Sequence, residues 1–271
     1  MLNVSMRHNN KKEIVFTSPR ALTVSKFRLP PLSDFPLGKD EVIFRPIHSL
    51  VSSGTELGIF RGEFLEGEER GAKIKIDETI EGMEGGFGFP MKYGYCCVGR
   101  VTSCHPSVSD VYLGKLFFSF SPHSSLHRTS VSSLLALPDD IPVELGIFLP
   151  SVETAVGLVH DCNVILGEKV AVVGAGLIGM IVLEVLGKCC GLLDVGVYEL
   201  SNARRERALK LSDNVCAGAI GSDGKILEKG IYDKSIEVTG RMEGVQVAID
   251  CVGNGGTVVL GSWLRRKGEL R

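Results

Sequence analysis

The segment GAGLIG at residues 174–179 is the part of the chain whose residue types and spacing most directly predict chemistry. It follows the apolar run KVAVV and leads into an apolar segment of helical length, which places the glycines between a strand and a helix. In this pattern the first glycine allows a tight turn, the second lets a pyrophosphate approach the backbone, and the third lets the helix pack closely on the strand. The start of the helix supplies N–H groups for the phosphates. The residues predicted to hold a dinucleotide here are Gly174, Gly176, Leu177, Ile178 and Gly179.

A carboxylate follows the next apolar run and bears on the choice of cofactor. Glu199 ends DVGVYE, 20 positions after the last glycine, where it would accept hydrogen bonds from the adenosine ribose hydroxyls. Arg204 and Arg205 come soon after, and a guanidinium there could bind a 2′-phosphate. Because the carboxylate would repel a phosphate, the sequence favours NAD(H), and NADP(H) stays open through Arg204.

The elements that position these residues alternate from residue 168 onward. Five apolar runs, KVAVV, DVGVYE, NVCAGA, KSIEV and TVVLGSW, are separated by segments that include helix-length stretches, which is typical of a parallel, doubly wound sheet. Val238, Thr239 and Gly240 follow the fourth run and are predicted to line the nicotinamide side, because ligands bind beyond the carboxyl ends of parallel strands. An S-adenosylmethionine-dependent methyltransferase also has a glycine loop after its first strand, but it does not account for the third glycine or for the β-rich first half.

The first half contains short β-branched and aromatic runs cut by proline and glycine, which predict an antiparallel or barrel-like sheet. The charged, glycine-rich stretch between Arg61 and Pro90 is predicted to be a loop with one helical turn at most. After Pro142 the apolar spacing becomes helical, and Pro150 predicts a break or kink in that helix.

Composition excludes several classes of protein. The 271 residues include 30 Lys and Arg against 32 Asp and Glu, and 44% of them are hydrophobic, so disordered, collagen-like and basic nucleic-acid-binding proteins are poor fits. No apolar run is long enough for a membrane span, and the first residues lack the apolar core of a secretory signal. Eight cysteines without a CxxC spacing do not predict a disulfide framework, which favours a reducing, cytoplasmic location.

Three segments carry a resemblance to a known family: GKDEVIFRPIHSLVSSGTELGIFRG, PMKYGYCCVGRV, and KSIEVTG with VQVAIDCVGNGGTVVLGSW. With the glycine loop, they resemble the medium-chain dehydrogenase/reductase superfamily, in broad terms the zinc-type alcohol dehydrogenases. The resemblance implies an α/β protein with a GroES-like β-barrel domain over residues 1–142, a connecting helical segment over 143–167 and a Rossmann domain over 168–271. The SGTE and YGY motifs are similar to those of a subgroup that includes bacteriochlorophyllide a dehydrogenase and lacks the zinc ligands.

The same resemblance shows where the chain departs from the family. Ser53, Tyr95 and Pro150 stand at the positions of the catalytic zinc ligands, and a hydroxyl, a phenol and a proline do not make a zinc site. No zinc is therefore predicted. Thr55 stands at the family's proton-relay hydroxyl, and Tyr95 and Ser53 are the other candidate catalytic donors to a substrate oxygen. Thr154 aligns with a threonine that packs against the nicotinamide.

The cysteines and histidines do not predict a substitute metal site. Cys96 and Cys97 are adjacent on a predicted strand and should point to opposite faces, so they would not share one ion with Cys104 or His105. Reduced, buried thiols are the expectation. The other histidines, predicted to be hydrogen-bonded structural residues, are His48, His123, His127 and His160.

These observations predict a zinc-independent oxidoreductase that transfers a hydride between NAD(P)(H) and an alcohol, a carbonyl or an activated double bond. Its partner would be a small-molecule substrate, with no nucleic acid and no membrane, and a homodimer is compatible with the resemblance. The alternative is a non-catalytic dinucleotide-binding protein or an inactive remnant of the family. Because a complete doubly wound dinucleotide domain has six strands and only LRRKGELR follows the fifth, the sequence-based expectation is a Rossmann domain truncated at its C-terminus.

Overall fold

The structure is a computed structural model that describes residues 10–30, 32–34, 36–63, 88–189, 191–192, 194–218 and 226–263. Contacts divide the chain into two compact units, Met1–Leu149 and Pro150–Arg271. Most of the predicted glycine-rich loop, residues 64–87, lies outside the described residues, as does the tail from residue 264.

The first unit is antiparallel. Its strands are β1 (Asn10–Ser18), β2 (Ala21–Arg28), β3 (Glu41–Ser49), β4 (Cys97–Cys104), β5 (Leu116–Ser119), β6 (His127–Ser130) and β7 (Leu134–Ala136). The hairpin of β1 and β2 stands apart from a five-stranded sheet in the order β6-β3-β4-β5-β7. Among its described residues, this unit also has two short α-helices, α1 (Thr55–Arg61) and α2 (Val143–Gly146).

Strand alternation divides the core of the first unit between the two faces of the sheet. Cys97 and Phe117 belong to one buried cluster with Phe44, whereas Cys96 and Phe118 belong to another. Successive residues of a strand point to opposite faces, so one run of apolar residues supplies both clusters. The adjacent cysteines therefore lie in separate clusters, as predicted.

The second unit is a parallel α/β sheet. Its strands are β8 (Lys169–Val173), β9 (Asp194–Tyr198), β10 (Val215–Ala217), β11 (Tyr232–Glu237) and β12 (Val252–Leu260). They pair in the order β10-β9-β8-β11-β12, with parallel neighbours throughout. The helices are α3 (Leu149–Cys162), α4 (Leu177–Cys189), α5 (Asn202–Ala208) and α6 (Met242–Cys251). The order reverses beside β8, which creates the switch point where ligands bind in such sheets.

Buried aliphatic side chains of β8, β9 and α4 form the largest core cluster of this unit. Val170, Val172, Val195 and Val197 come from the strands, and Leu183 is fully buried on α4. Each side chain of this kind contributes about 1.5 to 3 kcal/mol when it leaves water. The near-continuous apolar strands are what a sheet covered on both faces requires.

The break predicted at Pro150 is confirmed. α2 ends at Gly146 and α3 begins at Leu149, so Pro150 occupies the first turn of the second helix. A proline is tolerated there because the N–H that it lacks would have no partner within the helix.

The two units match the predicted architecture, a GroES-like domain followed by a Rossmann sheet. Among the described residues, no helix combines the length and the apolar character that crossing a membrane would need.

Candidate functional site

The glycine loop joins β8 to α4, and its first and third glycines are required by geometry. Gly174 has a φ of 102°, a region that favours glycine, and its N–H donates to the Tyr198 carbonyl at 2.8 Å. A Cβ on Gly179 would lie 1.9 Å from the carbonyl oxygen of Gly174. Only a glycine at residue 179 lets the first turn of α4 approach the end of β8 this closely.

The second glycine is different, because the backbone does not demand it. A Cβ on Gly176 would meet none of the described atoms within 4 Å. The loop leads directly into α4, whose first N–H groups, at Leu177 and Ile178, have no acceptor one turn earlier in the helix. An open backbone beside unpaired N–H groups at the positive end of a helix fits a pyrophosphate.

Glu199 lies beside this loop, at the carboxyl end of β9. One carboxylate oxygen accepts the Ala175 N–H at 2.9 Å, and the other accepts the Ser201 N–H at 2.8 Å. The side chain is only 10% exposed. Two backbone donors therefore hold the carboxylate at the end of β9, which is where dinucleotide-binding sheets in general carry the acidic residue that accepts ribose hydroxyls.

The two arginines after Glu199 differ in their contacts and in their exposure. Arg205 donates to the Glu199 carbonyl at 2.8 Å and to the Asn202 side chain at 2.7 Å. Arg204 is exposed and stands 3.9 Å from the Glu199 carboxylate. Because the guanidinium of Arg205 is engaged, Arg204 is the better placed of the two to meet a charged group outside the protein.

At the end of β11, the sequence prediction missed a buried carboxylate. Glu237 has no exposed surface, and its Oε1 accepts the Thr239 N–H at 2.5 Å and the Thr239 hydroxyl. Its Oε2 accepts the Ser262 hydroxyl. A charged residue that ends an apolar strand is the sequence signal that could have identified it. Glu237 thereby fixes Thr239 just beyond the strand end.

The other residues predicted to face the nicotinamide lie on different elements of the second unit. Val238 continues the sheet, since its N–H donates to the Val173 carbonyl at 2.9 Å, and Gly240 has a φ of 71°. Thr154 is exposed on α3, and its hydroxyl donates to the Pro150 carbonyl at 2.8 Å.

In the first unit, the structure brings together three hydroxyl groups. The Tyr95 phenol is hydrogen-bonded with the side chains of Ser52 and Thr55. Burial raises the pKa of Tyr95, and the nearby Cys96 and Glu56 raise it further, while the two hydroxyl contacts lower it in part. The phenol is therefore protonated at neutral pH and can donate a hydrogen bond.

Of the three predicted catalytic hydroxyls, the structure groups Tyr95 with Thr55, but it leaves Ser53 exposed in the turn before α1. Ser52, which the sequence analysis did not select, takes the place beside the phenol. Adjacent serines cannot be told apart by type, and the turn decides which one points inward.

A buried, hydrogen-bonded pair of side chains, Glu56 and His123, lies beneath these hydroxyls. Glu56 Oε2 and His123 Nε2 are 2.6 Å apart, and both side chains are almost fully buried, at 1% and 3% exposure. The other ring nitrogen of His123 lies 2.9 Å from the Ser49 hydroxyl. The two residues are 67 positions apart in sequence, so no local motif marks the pair.

The cysteines near this pair are inert thiols. Burial, together with the nearby Glu56, raises the pKa of both Cys96 and Cys97 to about 12. The Cys97 thiol donates to the Ser121 carbonyl at 3.3 Å. Within the described ranges, no three His, Cys, Asp or Glu side chains come together as a metal site would require.

Comparison with known proteins gives relatives along most of the chain. A D-guloside 3-dehydrogenase of Escherichia coli is 25% identical over 261 residues, which cover 91% of this chain and 72% of the relative. Sorbitol dehydrogenase of Ovis aries is 24% identical over 261 residues, which cover 84% of this chain and 71% of that protein. No family model matches the chain.

Solved structures share the fold. Acetophenone reductase of Geotrichum candidum, in complex with NAD, matches with a TM-score of 0.70 over 94% of this chain and 76% of the other. The sequence identity in that comparison is 17%, so the likeness concerns the architecture alone.

Proposed function

We propose, on the premise that this chain is an NAD(P)-dependent oxidoreductase of the medium-chain dehydrogenase/reductase superfamily, that it transfers a hydride between the cofactor and an alcohol or carbonyl carbon without a metal ion. A substrate with an activated double bond would instead accept the hydride on one carbon and a proton on the other carbon. The proposal depends most on the glycine loop with Glu199 beside it.

The residues of the second unit fit a nicotinamide dinucleotide. When bound, the nicotinamide supplies or accepts the hydride. The first N–H groups of α4 would donate to the pyrophosphate, and the open space at Gly176 would let the pyrophosphate approach the backbone. The carboxylate of Glu199, held by two backbone N–H groups, would accept hydrogen bonds from the ribose hydroxyls.

The charge of Glu199 favours NAD(H). A 2′-phosphate would have to lie against this carboxylate, and the attraction of Arg204 would have to exceed that repulsion. Arg204 is exposed to water, where such attraction is weak. NADP(H) is therefore the weaker of the two ligands in this proposal.

The hydroxyl group of Tyr95 is the proposed proton donor. In the direction of reduction, the substrate carbon accepts the hydride, its oxygen gains the bonding electron pair, and the Tyr95 O–H gives its proton to that oxygen. Ser52 and Thr55 then donate hydrogen bonds to the phenolate that remains. Oxidation of an alcohol runs through the same groups in reverse.

A catalytic zinc, which the superfamily often uses, does not fit the donor set. Ser53 is exposed, the Tyr95 phenol has a raised pKa, and Pro150 offers no ligand atom. Zinc binds thiolate, imidazole and carboxylate groups, and the described residues hold no cluster of three of them. Hydrogen-bond donors must then polarise the substrate oxygen.

The test combines cofactor binding with turnover. NADH binding is measured by fluorescence, and hydride transfer is measured with a panel that contains a D-guloside, sorbitol and large apolar ketones. We expect Tyr95→Phe to lower kcat by about 100-fold or more, the range of one lost acid. Tyr112→Phe, in another core cluster of the same unit, is the matched control and should keep the wild-type rate.

Two outcomes would contradict the proposal. Tight NADH binding without turnover of any panel member would favour the alternative, a non-catalytic dinucleotide-binding protein. Full activity of Tyr95→Phe would remove the phenol from the reaction.

A further inference from the structure

The Glu56–His123 pair touches both chain segments that meet at the Tyr95 hydroxyl. On one side, the Oε1 of Glu56 accepts the Ser52 N–H at 3.0 Å. The Ser52 hydroxyl in turn accepts the Thr55 N–H at 3.3 Å. The carboxylate therefore anchors the turn that carries both hydroxyl partners of the phenol.

This anchor replaces a missing helix cap. The N-cap residue of α1 is Gly54, which has no side chain to accept the free N–H groups of the first turn. Ser52 and Glu56 hold the turn together instead, through the contacts of the Ser52 backbone and hydroxyl.

On the other side, His123 packs against the residue before Tyr95. A Cβ on Gly94 would lie 2.9 Å from the Cδ2 of the His123 ring, and Gly94 has a φ of 139°. The His123 N–H donates to the Tyr93 carbonyl at 3.2 Å. The His123 ring and backbone N–H thus both contact the backbone from which the Tyr95 side chain extends.

We propose that the buried Glu56–His123 pair is a positioning unit that holds the Tyr95 phenol against Ser52 and Thr55. The inference rests on the proposed function, in which this phenol moves the proton. Neither residue of the pair touches substrate, and its loss changes the rate of the proton step more than the affinity for substrate.

Stability alone does not account for such a pair. Taking two hydrogen-bonded polar groups out of water costs free energy, and apolar side chains of similar volume often stabilise a core equally well. The contacts with Ser52 and with the segment at Gly94 give the pair a specific geometric task.

The experiment compares Glu56→Gln and His123→Asn with Glu13→Gln in the full chain. Glu13 is the matched control, because its carboxylate is 5% exposed, is ion-paired with Lys11 and Lys92, and belongs to the same unit. All three variants should lower the thermal midpoint. We expect only the first two to lower kcat, by about tenfold with KM within about twofold, since misplacement of a reacting group mainly affects the chemical step.

A second readout needs no turnover. Chain labelled with 3-fluorotyrosine gives a fluorine resonance for Tyr95, assigned by its loss in Tyr95→Phe. We expect this resonance to shift or broaden in Glu56→Gln and His123→Asn and to stay unchanged in Glu13→Gln. If Glu56→Gln fails to fold, His123→Asn and Ser49→Ala provide the same comparison.

The two proposals can fail separately. If Tyr95→Phe is impaired while both pair variants keep the wild-type kcat and fluorine resonance, the positioning role is overturned and the proposed function stands. If no substrate is turned over but the resonance moves in the pair variants alone, the pair positions Tyr95 and the proposed function is wrong.

Discussion

At the scale of single residues, one carboxylate can serve the fold and a ligand at once. Glu199 accepts two backbone N–H groups, one from the glycine loop and one from the residue before α5. A carboxylate has about four lone-pair sites, so two further hydrogen bonds remain open to a ribose. In the proposed function, its negative charge favours NAD(H) over NADP(H).

We predict that Glu199→Gln weakens NADH binding and makes the Kd values of NADH and NADPH more similar. The loss of charged hydrogen bonds should cost about 1.5 to 3 kcal/mol, or roughly 10- to 150-fold in Kd. Titration of both cofactors, followed by fluorescence, measures the effect. Glu206→Gln, which changes an exposed carboxylate on the following helix α5, is the control. Equal wild-type Kd values for NADH and NADPH would contradict the role of Glu199.

A second prediction concerns His127. Burial, and then the nearby Lys11, lower the pKa of His127 from 6.5 to about 4, and its ring donates to the Pro122 carbonyl. The unfolded chain therefore binds a proton on this ring between pH 6.5 and 4 that the folded chain does not bind, so stability rises with pH across this window. The loss on acidification is about 3 kcal/mol at most.

Urea unfolding at pH 7, 5.5 and 4.5 should show this loss in the wild type and a smaller loss in His127→Gln. His160→Gln, which removes an exposed ring, is the control for losing an imidazole. The same slope of stability against pH in wild type and His127→Gln would show that other groups dominate.

At the scale of elements, the β8–α4 turn combines two kinds of glycine. Gly179 permits helix and strand to approach, whereas Gly176 keeps the backbone open. The sequence motif contains both as glycine, but Gly179 is required by the packing of the fold, whereas Gly176 is proposed to be required for binding the pyrophosphate.

We therefore expect Gly179→Ala and Gly176→Ala to fail in different ways. A Cβ 1.9 Å from a backbone oxygen cannot be accommodated by moving a flexible side chain, so Gly179→Ala should lose about 1 to 3 kcal/mol of stability. Gly176→Ala should keep its thermal midpoint and bind NADH more weakly. Gly157→Ala, at an open position within α3, is the control and should be neutral or stabilising. Similar melting of all three variants would contradict this division.

At the scale of the whole molecule, each unit carries its own part of the proposed chemistry. The parallel unit has the glycine loop that is proposed to bind the dinucleotide, and the antiparallel unit has the hydroxyl group of Tyr95 with the Glu56–His123 pair beneath it. The thiols of Cys96 and Cys97 have raised pKa values and stay protonated, and they belong to separate core clusters. A metal ion has no set of ligands to join among these residues.

We predict that purified protein holds no stoichiometric zinc and that prolonged treatment with a chelator leaves NADH binding and turnover unchanged. The reason is the donor set, because hydroxyl and phenol groups do not hold zinc at neutral pH. Elemental analysis together with assays before and after chelation provides the measurement. About one tightly bound zinc per chain, with activity lost on its removal, would contradict the prediction.

Much of the fold was predictable because its signals are local. The glycine loop, the five parallel strands and the break before α3 each follow from residues within a few positions of one another, where periodicity and backbone restrictions act directly. The role of Ser52, the burial of Glu237 and the Glu56–His123 pair were not predictable in this way. Each depends on what a side chain faces after the chain has folded.

The sequence by itself determined the order of the helices and strands and the position of the glycine loop. Strand alternation, helical periodicity and glycine geometry are all properties of the local chain. Only the tertiary structure decided which polar groups are buried together. Glu56 and His123 are 67 residues apart, and they form their hydrogen bond because the folded chain brings both side chains to one buried place. The same folding step directs Ser52 rather than Ser53 toward Tyr95, because the turn before α1 selects the inward side chain.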